Sequence, residues 1–85
     1  MTDITIYTTP LCPYCARAKG LLKRKNAGFI EIDVSDDAAL REAMRTRAGG
    51  RNSVPQIFIG ATHVGGCDDI HALESQGKLD AMLVA

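Results

Sequence analysis

The 85-residue chain reads as a small α/β fold, with a four-stranded mixed sheet and helices on both of its faces. Two observations predict this class. Short runs that alternate apolar and polar residues are separated by segments with apolar residues at helical spacing. In the second half, two short strands are joined by only two residues, so one pair is antiparallel while the earlier helix-linked strands run parallel. The resulting order is β-α-β-α-β-β-α.

Ile4, Ile6 and Thr8 alternate with Asp3, Thr5 and Tyr7, which predicts a first strand. Thr9, Pro10 and Pro13 interrupt it, and a helix follows from about Pro13 to Asn26, with Cys15, Ala18, Leu21 and Leu22 facing inward. Ala27-Gly28 is the expected stop, because glycine enters the left-handed cap conformation without a Cβ clash. Phe29 to Val34 forms the second strand, and Ser35 is the expected N-cap of a second helix. That helix presents Ala39, Leu40, Ala43 and Met44 on one side and ends near Ala48-Gly49-Gly50. Val54 to Ile59 is the third strand, and Gly60-Ala61 turns it into Thr62-His63-Val64. Gly65-Gly66 precedes a helix from about Asp68 to Ser75, and Leu79, Met82 and Leu83 lie on a closing segment.

Composition narrows the function. A chain of 85 residues is one domain's worth, so residues 1–85 are expected to form a single unit. A domain of this size buries roughly 60–65% of its unfolded surface. Ten basic residues balance ten acidic ones, which argues against a nucleic-acid partner. No apolar run approaches the ~18–20 residues of a membrane span, and Met1-Thr2-Asp3 has no signal-peptide character. Three cysteines, two of them three apart, are not a secreted disulfide framework but reactive thiols in a reducing compartment, hence a cytoplasmic expectation. The basic residues cluster in 17–25 and 41–51, either as two solvated helix faces or as a local positive field beside an anionic ligand.

Cys12-Pro13-Tyr14-Cys15 opens the first helix. Cys12 falls at its N-cap, where unpaired N–H groups and the helix dipole favour an anion. Thiols at helix N-termini titrate at ~3.5–7.5 instead of ~8.5. Pro13 suits the first helical position, whose N–H would be unpaired in any case. Cys15 lies one turn on, within reach of the Cys12 sulfur, so one thiol attacks a disulfide and the other resolves the product. The alternative is half of a zinc site completed by His63, Cys67 and His71, or a merely structural pair. Zinc is disfavoured because a second C-x-x-C is lacking, so no metal is expected.

Val54-Pro55 is either ordinary strand punctuation or a cis turn. A cis bond would leave the Val54 backbone facing outward for an extended, peptide-like ligand. Gly65-Gly66-Cys67-Asp68-Asp69 allows close approach of a ligand to backbone at a helix N-terminus, which suits a carboxylate. A nearby Asp68 or Asp69 suits an ammonium group. The plainer reading is a glycine turn before an Asp-capped helix, with Cys67 as a small filler.

Together Cys12-Pro13-Tyr14-Cys15, Ser53-Val54-Pro55-Gln56-Ile57-Phe58-Ile59 and Gly65-Gly66-Cys67-Asp68-Asp69 resemble the three motifs of the small bacterial dithiol glutaredoxins, in order and over essentially the whole chain. The resemblance implies the thioredoxin fold, a cis Val54-Pro55 bond, a monomer and no tightly bound cofactor. It implies glutathione as co-substrate, with Cys12 as nucleophile and Cys15 as resolving thiol. Glutathione would contact Cys12, Tyr14, Ser53, Val54, Pro55, Gly66, Cys67, Asp68 and Asp69. Substrates would be disulfide-bearing or glutathionylated proteins, and glutathione reductase would act indirectly, through glutathione. Two alternatives share the fold: an electron donor to ribonucleotide reductase recharged by thioredoxin reductase, and a carrier of a glutathione-ligated iron–sulfur cluster. One departure stands out. The family usually places Lys shortly before the first cysteine, where this chain has Thr9, so either the helix terminus alone activates the thiol or Arg17 or Arg51 supplies the positive charge. The expected consequence is a weaker glutathione site than in a Lys-bearing relative.

Overall fold

The computed structural model describes residues 3–84. The strands are β1 (Ile4–Thr8), β2 (Ile30–Asp33), β3 (Gln56–Ile59) and β4 (Thr62–Gly65). The helices are α1 (Pro13–Arg24), α2 (Ala38–Arg47), α3 (Cys67–Ser75) and the short α4 (Leu79–Leu83). The sheet order is β2-β1-β3-β4, with β1 parallel to β2 and antiparallel to β3, and β3 antiparallel to β4. This is the mixed, four-stranded thioredoxin arrangement, with α4 added where the sequence suggests only a closing segment.

The sheet separates two apolar layers because successive strand residues point to opposite faces. Ile4, Ile6, Ile57 and Ile59 pack with Ala18, Leu21 and Leu22 of α1, Ile70 of α3, and Leu79 and Leu83 of α4. Tyr7 and Phe58 point the other way, toward Met44, Val34 and Ala48. The inward residues of α1 are the four that its spacing predicts: Cys15, Ala18, Leu21 and Leu22.

Helix α2 departs from expectation. Ala39, Leu40 and Ala43 are exposed, and Met44 is the residue it buries. The layer beneath it is small, and the side chain of Arg47 covers part of it, its guanidinium 4.1 Å from the centre of the Phe58 ring. The N-cap of α2 is Asp37, whose carboxylate accepts the Leu40 N–H at 3.0 Å, while the Ser35 N–H is taken by Asp33 Oδ1 at 2.8 Å. At the end of α1 the left-handed position belongs to Asn26 (φ 55°) and not to Gly28. Asparagine tolerates that conformation nearly as well as glycine does. Val54 and Pro55 lie just outside β3, and α3 begins one residue earlier than expected, at Cys67. A β-bulge shifts the β3–β4 register between Ile57 and Phe58, turning β4 toward the start of α3.

Candidate functional site

The thiol pair sits where β1 hands over to α1. Cys12 is the N-cap in extended conformation (φ −107°, ψ 103°), Pro13 occupies the first turn, and the Ala16 N–H bonds the Cys12 carbonyl at 3.1 Å. The Cys12 sulfur itself caps the helix, accepting the Cys15 N–H at 3.1 Å. It is partly exposed, and lies 3.9 Å from the Val54 carbonyl oxygen. Cys15 is buried. Burial, together with its hydrogen bond to Cys12, pushes its thiol up to about 12, so it stays protonated at neutral pH. The two sulfurs are therefore unequal: one faces solvent at a helix terminus, and the other is a covered proton carrier behind it.

The Val54–Pro55 bond is cis. Its loop is held from below by a chain of hydrogen bonds that the sequence did not reveal. Gln56, fully buried, donates through Nε2 to the Ser53 carbonyl at 2.9 Å and to Ser53 Oγ at 3.2 Å. Its Oε1 must then accept, so His63 Nε2, 2.7 Å away, carries the proton. His63 stacks on Phe58 with centroids 4.8 Å apart, and burial lowers its pKa, which keeps it neutral.

The glycine turn completes the site. Gly65 has φ 115°, and a Cβ there would lie 2.3 Å from Asp69 Oδ2. That closeness reflects use: Asp69 Oδ2 accepts the Gly66 N–H at 2.8 Å and receives Arg51 Nη1 at 3.3 Å. The Gly66 N–H bond, more than Arg51, holds the Asp69 carboxyl below the ordinary carboxylate range. The Cys67 and Asp68 N–H groups open the first turn of α3, where an α-helix supplies no internal acceptor.

Tyr14, Arg51, Ser53, Val54, Pro55, Gly66, Cys67, Asp68 and Asp69 line one groove of about 290 Å³. Arg17 does not line it; its charge acts on Cys67, opposing the burial that raises that thiol. Thr9 lies on the opposite flank of Cys12, in a second groove of about 620 Å³. Of the candidate zinc residues, Cys67 and His71 meet, their Sγ and Nδ1 3.5 Å apart. His63 is committed to Gln56, while His71 Nδ1 sits 2.9 Å from the Cys67 carbonyl on α3 itself. Among the described residues no three His, Cys, Asp or Glu side chains gather as a metal site. The basic residues of 41–51 mostly serve the fold: Arg41 binds Asn52, Arg45 pairs with Glu42, and Arg47 reaches Tyr7 Oη at 3.3 Å. Arg51 lines the groove.

A cysteine-capped helix facing a cis-proline loop and a glycine turn has the parts that thiol exchange needs. The model of the Glutaredoxin family matches residues 4–64. The chain belongs to the glutaredoxin family. It is 56% identical to a glutaredoxin of Pseudomonas aeruginosa over 85 residues, all of both chains. The solution structure of a glutaredoxin from Brucella melitensis superposes with a TM-score of 0.86 at 63% identity, covering 98% of this chain and 89% of that one. A buckwheat glutaredoxin–glutathione complex superposes with a TM-score of 0.88 at 30% identity, covering 98% and 77%. Membership makes this glutaredoxin a thiol–disulfide oxidoreductase. Among its described residues no helix is long and apolar enough to cross a membrane.

Proposed function

We propose that this glutaredoxin reduces glutathione mixed disulfides and protein disulfides at the expense of glutathione. The carrying observation is the inequality of the two sulfurs. Cys12 is partly exposed at a helix N-terminus beside the groove, and Cys15 is buried with its proton held.

Glutathione is an extended tripeptide with two carboxylates and an ammonium group, and the groove offers matching chemistry. The Val54 backbone beside the cis bond suits β-like pairing with its cysteinyl residue. The Cys67 and Asp68 N–H groups suit the γ-glutamyl carboxylate. Asp69 is already occupied by Gly66 and Arg51, so the exposed Asp68 carboxylate is the better partner for the ammonium group. Tyr14 flanks the ligand, Ser53 shapes the loop, and Arg51 supplies positive charge within the groove.

In the reaction, the Cys12 thiolate attacks the glutathione sulfur of a mixed disulfide. A Cys12–glutathione bond forms, the old S–S bond breaks, and the released thiolate takes up a proton. A second glutathione thiolate then attacks the bound glutathione sulfur, giving glutathione disulfide and free Cys12. With a protein disulfide, Cys12 attacks first; Cys15 then loses its proton and closes the Cys12–Cys15 disulfide, releasing the protein thiol. Two glutathiones reopen the pair.

The test follows NADPH consumption with glutathione, glutathione reductase and a small glutathione mixed disulfide. Cys12→Ser abolishes turnover and Cys15→Ser retains it. An inactive parent, or a Cys12→Ser variant as active as the parent, overturns the proposal.

A further inference from the structure

The 620 Å³ groove on the far flank of Cys12 is lined, apart from Cys12 itself, by none of the side chains assigned to glutathione, and Thr9, where the family usually has Lys, is among its lining residues. Its walls include Pro10, Leu11, Pro13 and Ala16, and its floor carries Lys19, Glu31 and Asp33. Leu11 is fully exposed and sits in the left-handed region (φ 58°), which costs a leucine about 1–2 kcal/mol. Strain and an exposed apolar side chain thus coincide next to the nucleophile, a combination typical of contact surfaces. Below it, Lys19 is spent on Glu31 at 2.9 Å, and Thr8 Oγ1 donates to the same Glu31 oxygen at 2.7 Å. Asp33 Oδ1 accepts the Ser35 N–H, and the residue is exposed to solvent. With Lys19 neutralised by Glu31, the charge left facing the groove is the negative charge of Asp33.

The chemistry at Cys12 requires a surface of this kind. Glutathione has a single residue on either side of its cysteine, and in the proposed reading its γ-glutamyl arm lies in the 290 Å³ groove. A polypeptide joined to Cys12 through its own cysteine continues in both directions from that sulfur, so its second arm leaves across the opposite flank. A groove of this volume is roughly 8–9 Å on a side, room for about two to three extended residues at ~3.3 Å each.

The geometry points to this groove as the docking site for the second arm of a polypeptide disulfide substrate, selecting a Lys or Arg about two residues from the target cysteine through Asp33. The inference rests on Cys12 being the attacking sulfur. The step itself is ordinary exchange: the Cys12 thiolate bonds to the polypeptide sulfur, the polypeptide's disulfide breaks, and its partner sulfur leaves with the electron pair and is protonated.

Two synthetic peptides test it, identical except for Lys or Glu two residues after a single cysteine that is disulfide-linked to thionitrobenzoate. In the Cys15→Ser protein the reaction stops at the Cys12–peptide disulfide, and release of thionitrobenzoate gives the rate. The Lys peptide reacts roughly two- to fivefold faster at low salt, the range of an exposed ion pair, and the ratio approaches one at high salt. Asp33→Asn keeps the Ser35 acceptor and brings the ratio to about one, Asp33→Lys inverts it, and Asp68→Asn leaves it unchanged. Equal rates for the two peptides, a ratio indifferent to Asp33, or one abolished by Asp68→Asn overturns the inference. Reaction of neither peptide at Cys12 overturns the reading beneath it as well.

Discussion

Gly65 is the position at which a single methyl group does the most damage. Its φ of 115° lies in a region that side chains rarely enter, and residues forced there carry about 1–3 kcal/mol of strain. An added Cβ would also meet Asp69 Oδ2 at 2.3 Å, Asp69 Cγ at 2.7 Å and Arg51 Nη1 at 2.9 Å. Contacts this short push the carboxylate off the Gly66 N–H, removing a capping bond worth about 1 kcal/mol. The exposed Arg51–Asp69 pair contributes at most about 1 kcal/mol more. Gly65→Ala is therefore expected to cost about 2–5 kcal/mol, a large share of the 5–15 kcal/mol typical of a domain. Urea unfolding followed by circular dichroism measures the loss directly. A double-mutant cycle with Asp69→Ala separates the two causes, because in that background the methyl group meets no carboxylate and costs only the backbone strain of about 1–3 kcal/mol. A Gly65→Ala cost under 0.5 kcal/mol would refute the argument outright. An equal cost with and without the Asp69 carboxylate would refute its steric half.

Three further outcomes follow from the same site. Cys15 keeps its proton to about pH 12 when folded but releases it near pH 9.0 when unfolded, so between those values the unfolded chain binds fewer protons and stability falls as pH rises. The stability advantage of the parent over Cys15→Ser should shrink from pH 8 to pH 10, as urea midpoints will show; a constant difference would contradict the burial of that thiol. His63 behaves oppositely, since its folded pKa lies below 6.5: stability present above 6.5 is lost as pH falls through that value and below. His63→Gln, which retains a donor for Gln56, should show a weaker loss between pH 7.5 and 5.5. Arg51→Gln should raise the KM for glutathione about two- to fivefold, with the kcat of the mixed-disulfide reaction little changed, because the lost charge lies in the groove and not at the sulfur.

Much of this was legible in the chain because it is written in side-chain period. The spacing of Cys15, Ala18, Leu21 and Leu22 gives the buried stripe of α1, and Gly60-Ala61 gives the hairpin. The three motifs place the residues of the smaller groove, which the fold then brings together. What escaped is what periodicity does not encode. Ala39, Leu40 and Ala43 look inward by spacing, yet the thin layer under α2 takes Met44 from that helix, and the Arg47 guanidinium lies over Phe58. Asn26 and Asp37 took capping roles that Gly28 and Ser35 were equally qualified to fill. Gln56 and His63 are seven positions apart in a hairpin whose bulge sets their meeting, so their bond depends on register. Lys19, Glu31 and Asp33 form a groove floor only once α1 lies across β2, and nothing local marks them.

The Cys12 sulfur holds two offices at once. In the proposed reaction it is the atom that attacks, and in the structure it is the acceptor that fastens the first turn of α1 by taking the Cys15 N–H. Each catalytic event converts that acceptor from an anion or thiol into one half of a disulfide, a poorer hydrogen-bond partner. On that reaction the bond fastening the helix entrance weakens on oxidation, and the backbone amide of Cys15 is expected to report the oxidation state. A substrate departs from a terminus that regains its fastening only when the sulfur is free again, so refastening the helix favours product release.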